Sequence, residues 1–183
     1  MIAFEPIPST LSFLRKNLAL NGIENVEIRE FGLSDEEKEL VFFFHPHLSG
    51  ATSAQNLLDN KDAVEIRARV RCMDDELQNE PRIDLLKCDV EGAEIFVLRG
   101  GMKTLERTKP VLFIEMLRKW SAKFGYKPDD IIQLLAGIGY DCFAVEEEEV
   151  LRRFERMEES TTATNFIFLH RVKHAGLENR QLG

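Results

Sequence analysis

The stretch that most constrains this chain runs from Arg82 to Gly101: Arg-Ile-Asp-Leu-Leu-Lys-Cys-Asp-Val-Glu-Gly-Ala-Glu-Ile-Phe-Val-Leu-Arg-Gly-Gly. Ile83, Leu85, Leu86 and Cys88 form a short apolar run of the kind that a strand covered on both faces requires. Ala93, Phe96 and Val97 then recur at helical spacing. Between strand and helix stand Asp89, Glu91 and Gly92. In an open parallel sheet this junction is the carboxyl edge of a strand, where the ligand crevice lies, so two carboxylates and a glycine there point to a site.

The rest of the chain repeats that alternation. Ile2 to Phe4 predicts a strand closed by Glu5-Pro6, and Pro8-Ser9-Thr10 opens a helix whose apolar Leu11, Leu14, Leu18 and Leu20 run to Asn21-Gly22. Asn25 to Phe31 predicts a strand and Gly32 to Asp35 a turn. Glu39 to Phe44 and Val64 to Arg71 predict an antiparallel pair with one wet face: Val64, Ile66, Ala68 and Val70 alternate with Glu65, Arg67, Arg69 and Arg71. A polar loop through His45-Pro46-His47 lies between them. Met73 to Leu77 predicts a short helix, a second helical piece runs through Leu105, and Val111 to Ile114 forms a buried strand ending in Glu115. Asp129 or Asp130 can cap a helix through Leu134, followed by a strand over Tyr140 to Val145. Glu146 to Glu159 predicts a solvated helix or lid, packing through Val150, Leu151, Phe154 and Met157. Thr164 to His170 predicts the last strand. These readings give an α/β fold with parallel strands and an antiparallel addition near the end, as one domain over 1–172 with a flexible tail over 173–183.

Composition excludes several classes. A chain of 183 residues has the size of one domain, and its net charge of −8 argues against a main role in holding nucleic-acid phosphates. Cys72, Cys88 and Cys142 lack CxxC spacing, so neither a disulfide framework nor a zinc site is signalled, and a reducing compartment is expected. No run approaches the roughly 18 apolar residues of a membrane span, which gives a cytoplasmic expectation without a membrane partner. His45 and His47 share a strand-face spacing but have no third ligand nearby, so no metal site is assigned.

Ala3-Phe4-Glu5-Pro6, Asn17-Leu18-Ala19-Leu20-Asn21-Gly22, Asp84 to Gly101, Pro110 to Glu115 and Asn165 to Leu169 together resemble, in order, the FkbM family of S-adenosylmethionine-dependent methyltransferases. The resemblance implies a Rossmann-like methyltransferase sandwich and O-methylation of a hydroxyl on a sugar or small metabolite. It also implies a further central strand and a glycine-rich loop of Asp-x-Gly-Ala-Asn-x-Gly type, a segment that would lie before Met1, between the strands of Ile2 to Phe4 and Ile83 to Cys88. The expectation is a truncated domain, or a gap filled by another copy, a complementing segment or an altered pairing.

By the same resemblance, Glu5 binds the ribose hydroxyls of the cofactor, for which two acceptor oxygens suit a vicinal diol, with a solvated turn residue as the alternative. Ser34 and Asp35 approach the adenine amine, with a turn or capping role as the alternative. Asp89 lies nearest the reacting methyl and serves both cofactor and catalysis. A carboxylate here can take the acceptor proton or steady the positive sulfur, and Glu91 serves in this way or is simply a helix-start residue favoured by the dipole. Glu115 hydrogen-bonds the acceptor or pairs with Arg118. The loop from Ser49 to Ser53 resembles a stretch that approaches the cofactor, and Trp120, Phe124 and Tyr126 shape an acceptor pocket or belong to the core. Two other functions stay open: a catalytically inactive fragment or scaffolding remnant, and a nicotinamide-dependent oxidoreductase, since a carboxylate after the second strand serves that cofactor too.

Overall fold

The computed structural model describes residues 1–44, 52–57, 63–145 and 151–177. His45, His47 and residues 49–51 lie outside the described residues, as do 146–150 and 178–183. The element order is β1 (Ile2–Phe4), α1 (Pro8–Leu20), β2 (Glu27–Arg29), β3 (Gly32–Ser34), β4 (Lys38–Phe44), β5 (Val64–Cys72), α2 (Met73–Glu76) and β6 (Leu85–Cys88). It continues with α3 (Glu94–Arg99), α4 (Met102–Thr108), β7 (Val111–Glu115), α5 (Arg118–Lys123), α6 (Pro128–Gly137), β8 (Tyr140–Val145), β9 (Leu151–Phe154) and β10 (Asn165–His170).

Local chemistry sets these bounds. Proline needs no amide partner at a helix start, and Pro8 occupies that place in α1. The helix ends where Gly22 turns left-handed at φ 63°. There the Gly22 amide donates to Ala19 O and the Ile23 amide to Leu18 O, so orphan carbonyls are satisfied. In α6 the carboxylate of Asp130 accepts the Lys127 amide at 2.8 Å, acting from the first turn rather than from the cap itself. Asp129 instead accepts the Met157 amide at 2.7 Å and ties the later segment down.

The described strands form three sheets: β1-β2, β3-β5-β4, and a five-stranded sheet in the order β6-β7-β10-β8-β9. Parallel pairs are β1·β2, β3·β5 and β6·β7, and antiparallel pairs are β4·β5, β7·β10, β8·β10 and β8·β9. The antiparallel share thus exceeds the β4·β5 pair and the single late strand that the sequence predicts. One cause is β9. Leu151 and Phe154 lie on a strand paired with β8, not on the helix expected there, with Leu151 opposite Val145 and Phe154 opposite Cys142. Phe154 meets Phe166 of the neighbouring face at 4.8 Å between ring centroids. Gly32 to Ser34, expected as a turn, is β3, held parallel against Val70 to Cys72.

The core lies around the five-stranded sheet. Leu98, Leu105, Leu112, Ile114, Ile131, Leu135 and Phe166 are fully buried, and the Tyr140 hydroxyl donates to Pro110 O at 3.0 Å within it. The other end of the molecule is less covered. Only Leu11 of α1 is buried, whereas Phe13 and Leu20 are exposed. Leu85 of β6 is 63% exposed, so that strand is not covered on both faces as its apolar run predicts. Among the described residues β1 pairs with β2 and β6 with β7, and no pairing joins β1 to β6. His174, expected in the tail, is buried, its Nδ1 accepting the His170 amide at 2.9 Å.

Candidate active site

Strands β6 and β7 run parallel in a register that sets Cys88 opposite Ile114. The next residue of each strand is a carboxylate, Asp89 and Glu115, so parallel pairing alone brings the two together at one sheet edge. Glu91 joins them from the following turn. Carboxylate oxygens of Asp89, Glu91 and Glu115 all lie within 4.8 Å of one another. The three residues assigned to catalysis from sequence therefore form one cluster.

The turn that delivers Glu91 is held from several sides. Glu91 itself is left-handed at φ 53°, and Gly92 follows at φ 98°, where a side chain is strained. A Cβ on Gly92 would also stand 2.9 Å from the Phe124 ring and 3.0 Å from Trp120 Cβ, so the turn packs directly against these side chains. Trp120 is buried, and Phe124 and Tyr126 pack on Phe96 at 6.1 and 6.4 Å between centroids. This aromatic group thus acts as packing behind the turn.

Glu94 is the organiser that sequence reasoning missed. Its side chain is buried, one oxygen accepts the Val90 and Gly92 amides at 3.1 and 3.0 Å, and the other accepts the Tyr126 hydroxyl at 3.0 Å. Burial pushes its carboxyl up, and the amide donors oppose that shift. Ser53 completes the hold. It is buried, its hydroxyl donates to Glu91 O at 2.7 Å, and its carbonyl accepts the Phe43 amide at 2.8 Å. The sequence carries no signal for this tie between Ser53 and the Glu91 carbonyl.

Electrostatics separate the three acids. Burial, with the neighbouring Glu115, Asp89 and Glu94, pushes Glu91 up to about 7, while Lys119 opposes the shift. Burial and the negative charge of neighbouring Asp89 also raise Glu115. Asp89 carries a close cation, Lys87 Nζ at 2.7 Å. Arg118 does not pair with Glu115: its guanidinium donates to Glu159 O at 3.0 Å. A carboxylate with a pKa near neutrality, beside two others, is suited to accepting a proton at physiological pH.

The residues assigned to a cofactor stand at the ends of other strands. Glu5 follows β1, half-buried, with Oε1 accepting the Ile7 amide at 2.7 Å and Oε2 without a hydrogen-bond partner among the described residues. Burial raises its carboxyl. Ser34 and Asp35 end β3. The Ser34 side chain is buried and donates to Asp35 Oδ1 at 3.1 Å, and exposed Asp35 lies 4.0 Å from Lys38 Nζ. No hydrogen bond or ion pair among the described residues joins Glu5, Ser34 or Asp35 to the acidic cluster.

A family model described as the methyltransferase FkbM domain matches residues 1–142. The chain belongs to the FkbM methyltransferase family. Two curated relatives are each 32% identical: methyltransferase 1 of Beauveria bassiana over 119 residues and methyltransferase sdnD of Sordaria araneosa over 130. Each match covers 55% of this chain, and respectively 48% and 50% of the relative. The chain therefore spans about half the length of the curated relatives it matches. A crystal structure of methyltransferase FkbM from Methylobacillus flagellatus KT shares the fold, with a TM-score of 0.52 at 16% identity over 91% of this chain and 35% of that one. Asp89, Glu91 and Glu115 all fall inside the part matched by the FkbM model.

Proposed function

We propose that this FkbM-family chain carries the acceptor side of an S-adenosylmethionine-dependent O-methyltransferase site acting on a hydroxyl of a sugar or small metabolite. The observation that carries the reading is the convergence of Asp89, Glu91 and Glu115 within 4.8 Å at the carboxyl edge of two parallel strands.

The residues present suit the cofactor at its ribose end. Glu5 Oε2 has no partner among the described residues and lies at a strand terminus, as an acceptor for a diol hydroxyl would. Ser34 and Asp35 stand at the next such terminus, for the adenine, and Asp89 would face the sulfonium end. When bound, the cofactor supplies a methyl group on a positively charged sulfur, which is left as a neutral thioether once the acceptor oxygen takes the methyl.

The chain's own groups have separable tasks. Glu91, ionised above about pH 7, accepts the proton of the acceptor hydroxyl on a carboxylate oxygen, leaving the acceptor oxygen free to form its new bond to carbon. Glu115, raised by burial and by Asp89, holds the acceptor through a hydrogen bond. Asp89, steadied by Lys87, keeps negative charge near the sulfonium. Ser53, Glu94 and Gly92 fix the backbone that aims Glu91.

β1 and β6 each have a single strand partner among the described residues, and Leu85 is open to solvent. We infer that both edges stand open in the described chain and that a further strand, once paired with them, would complete the cofactor wall. Titration of S-adenosylmethionine and of its demethylated product into the chain tests the assignment. Saturable binding weakened by Glu5→Gln supports it, whereas absence of binding by either compound favours a scaffolding remnant of the fold.

A further inference from the structure

Next to the acidic cluster a crevice of about 250 Å³ opens at the same sheet edge, lined by Met116, Leu117, Arg118, Lys119, Met157 and the segment from Thr161 to Thr164. Its two walls are tied together. The Met116 amide, one residue past Glu115, donates to Thr164 O at 2.7 Å, and Arg118 Nη2 reaches across to Glu159 O at 3.0 Å. The floor is apolar, from Met116, Leu117, Met157 and Ala163. The rim is cationic. Arg118 and Lys119 are exposed, and among the described residues neither forms an ion pair; Lys119 Nζ stands 4.0 Å over the Trp120 ring.

Arg118 and Lys119 form no ion pair among the described residues, although Lys119 is near enough to Glu91 to act on its carboxyl, and on a chain of net charge −8 they mark a local reversal of sign. The reversal sits beside three carboxylates, so the crevice and the cluster form a pair of opposite poles. A molecule with a hydroxyl at one end and a negative group at the other is oriented by that pair, its hydroxyl toward Glu91 and its anion toward the rim. The volume lies just under the roughly 300–1,000 Å³ of pockets for drug-sized ligands, which suits a small metabolite.

We propose that this crevice is the acceptor subsite and that it selects hydroxyl compounds bearing an anionic substituent, a carboxylate or a phosphate, held by Arg118 and Lys119. The proposal rests on the methyltransferase reading for the word acceptor; its charge preference is a separate, measurable property. The hydroxyls of Thr161 and Thr164 already accept the Glu158 amide at 2.9 Å and Asn165 Nδ2 at 3.1 Å. Their protons remain free to donate to oxygens of such a group.

The test is a magnetic-resonance titration of the chain, without cofactor, by matched probes: glycerate against glyceramide for the carboxylate arm, glucose 6-phosphate against glucose for the phosphate arm. The charged member of at least one pair is expected to bind roughly tenfold tighter, the size of one charge-assisted contact. Arg118→Gln and Lys119→Gln should each remove most of that preference, the charged probe losing more affinity than its neutral partner. Equal affinity for both members in both arms, or a preference that survives both substitutions, overturns the proposal. S-adenosylmethionine is titrated separately, and its affinity should not change in either variant. Failure of the unsubstituted chain to bind it strikes the methyltransferase reading, whereas failure of the charged probes strikes the subsite alone.

Discussion

Glu91 shows how one residue's environment becomes a testable property. Its carboxyl titrates at about 7 in the folded chain against the ordinary 4.5, so between those values the folded state holds a proton that the unfolded state has lost. The folded state is therefore favoured below pH 4.5, and that advantage is lost as pH rises through 7. Glu91→Gln removes the loss. The melting temperature of the variant should match that of the parent near pH 4 and exceed it above pH 7, as thermal melts across this range would record. Glu94 behaves differently because its oxygens accept three hydrogen bonds in a buried site. Glu94→Ala leaves the Val90 and Gly92 amides and the Tyr126 hydroxyl unpartnered, and should cost at least about 2 kcal/mol in denaturant unfolding, since each orphaned buried group costs roughly 1–3. Gly92→Ala should cost a similar ~2 kcal/mol, because it meets both a positive φ of 98° and the Phe124 ring and Trp120 Cβ at 2.9 to 3.0 Å. The carboxylates at the strand ends were legible because residue type and strand edge coincide in sequence. Glu94 was not, since its hydroxyl partner Tyr126 lies 32 residues away.

Among the elements, legibility followed periodicity. β5 alternates apolar and charged residues along its length, and its paired strand β4 was foreseen as well. β9 misled because Val150, Leu151, Phe154 and Met157 recur at helical intervals, although Leu151 and Phe154, three apart on a strand, point to opposite faces. β3 escaped because Gly-Leu-Ser carries turn chemistry, and it is a strand only through its partner β5. The strand reading of β9 has a direct check. Phe154→Ala removes the ring against Phe166 and should destabilise the chain by about 2 kcal/mol, below the roughly 3–5 of a fully buried phenylalanine because Phe154 is half-buried. A cost under about 0.5 kcal/mol, the level of an ordinary surface change, would contradict the packed strand.

At the scale of the molecule, the core and the open edges occupy different regions. The five-stranded sheet carries the buried core, while α1 and the turn after it expose Phe13, Leu20 and Ile23. Among the described residues no helix is long and apolar enough to cross a membrane. Hydrogen exchange should show the asymmetry: amides of β6 that do not face β7 are expected to exchange faster than those of β7, which pairs on both sides. Equal protection would mean that another pairing covers the β6 edge. The α/β class was legible from alternating apolar runs, but the partition into three sheets was not, because strand pairing depends on contacts between distant segments.

The most direct test of the central claim is transfer of a labelled methyl group from S-adenosylmethionine to small hydroxyl acceptors, followed as kcat/KM from pH 5 to 9. If Glu91 is the base, the rate should rise with pH to a half-maximum near 7. Glu91→Gln should then lower it by about a hundredfold or more and remove that rise. Transfer by Glu91→Gln at the parent rate, or no transfer at any pH, would contradict the account.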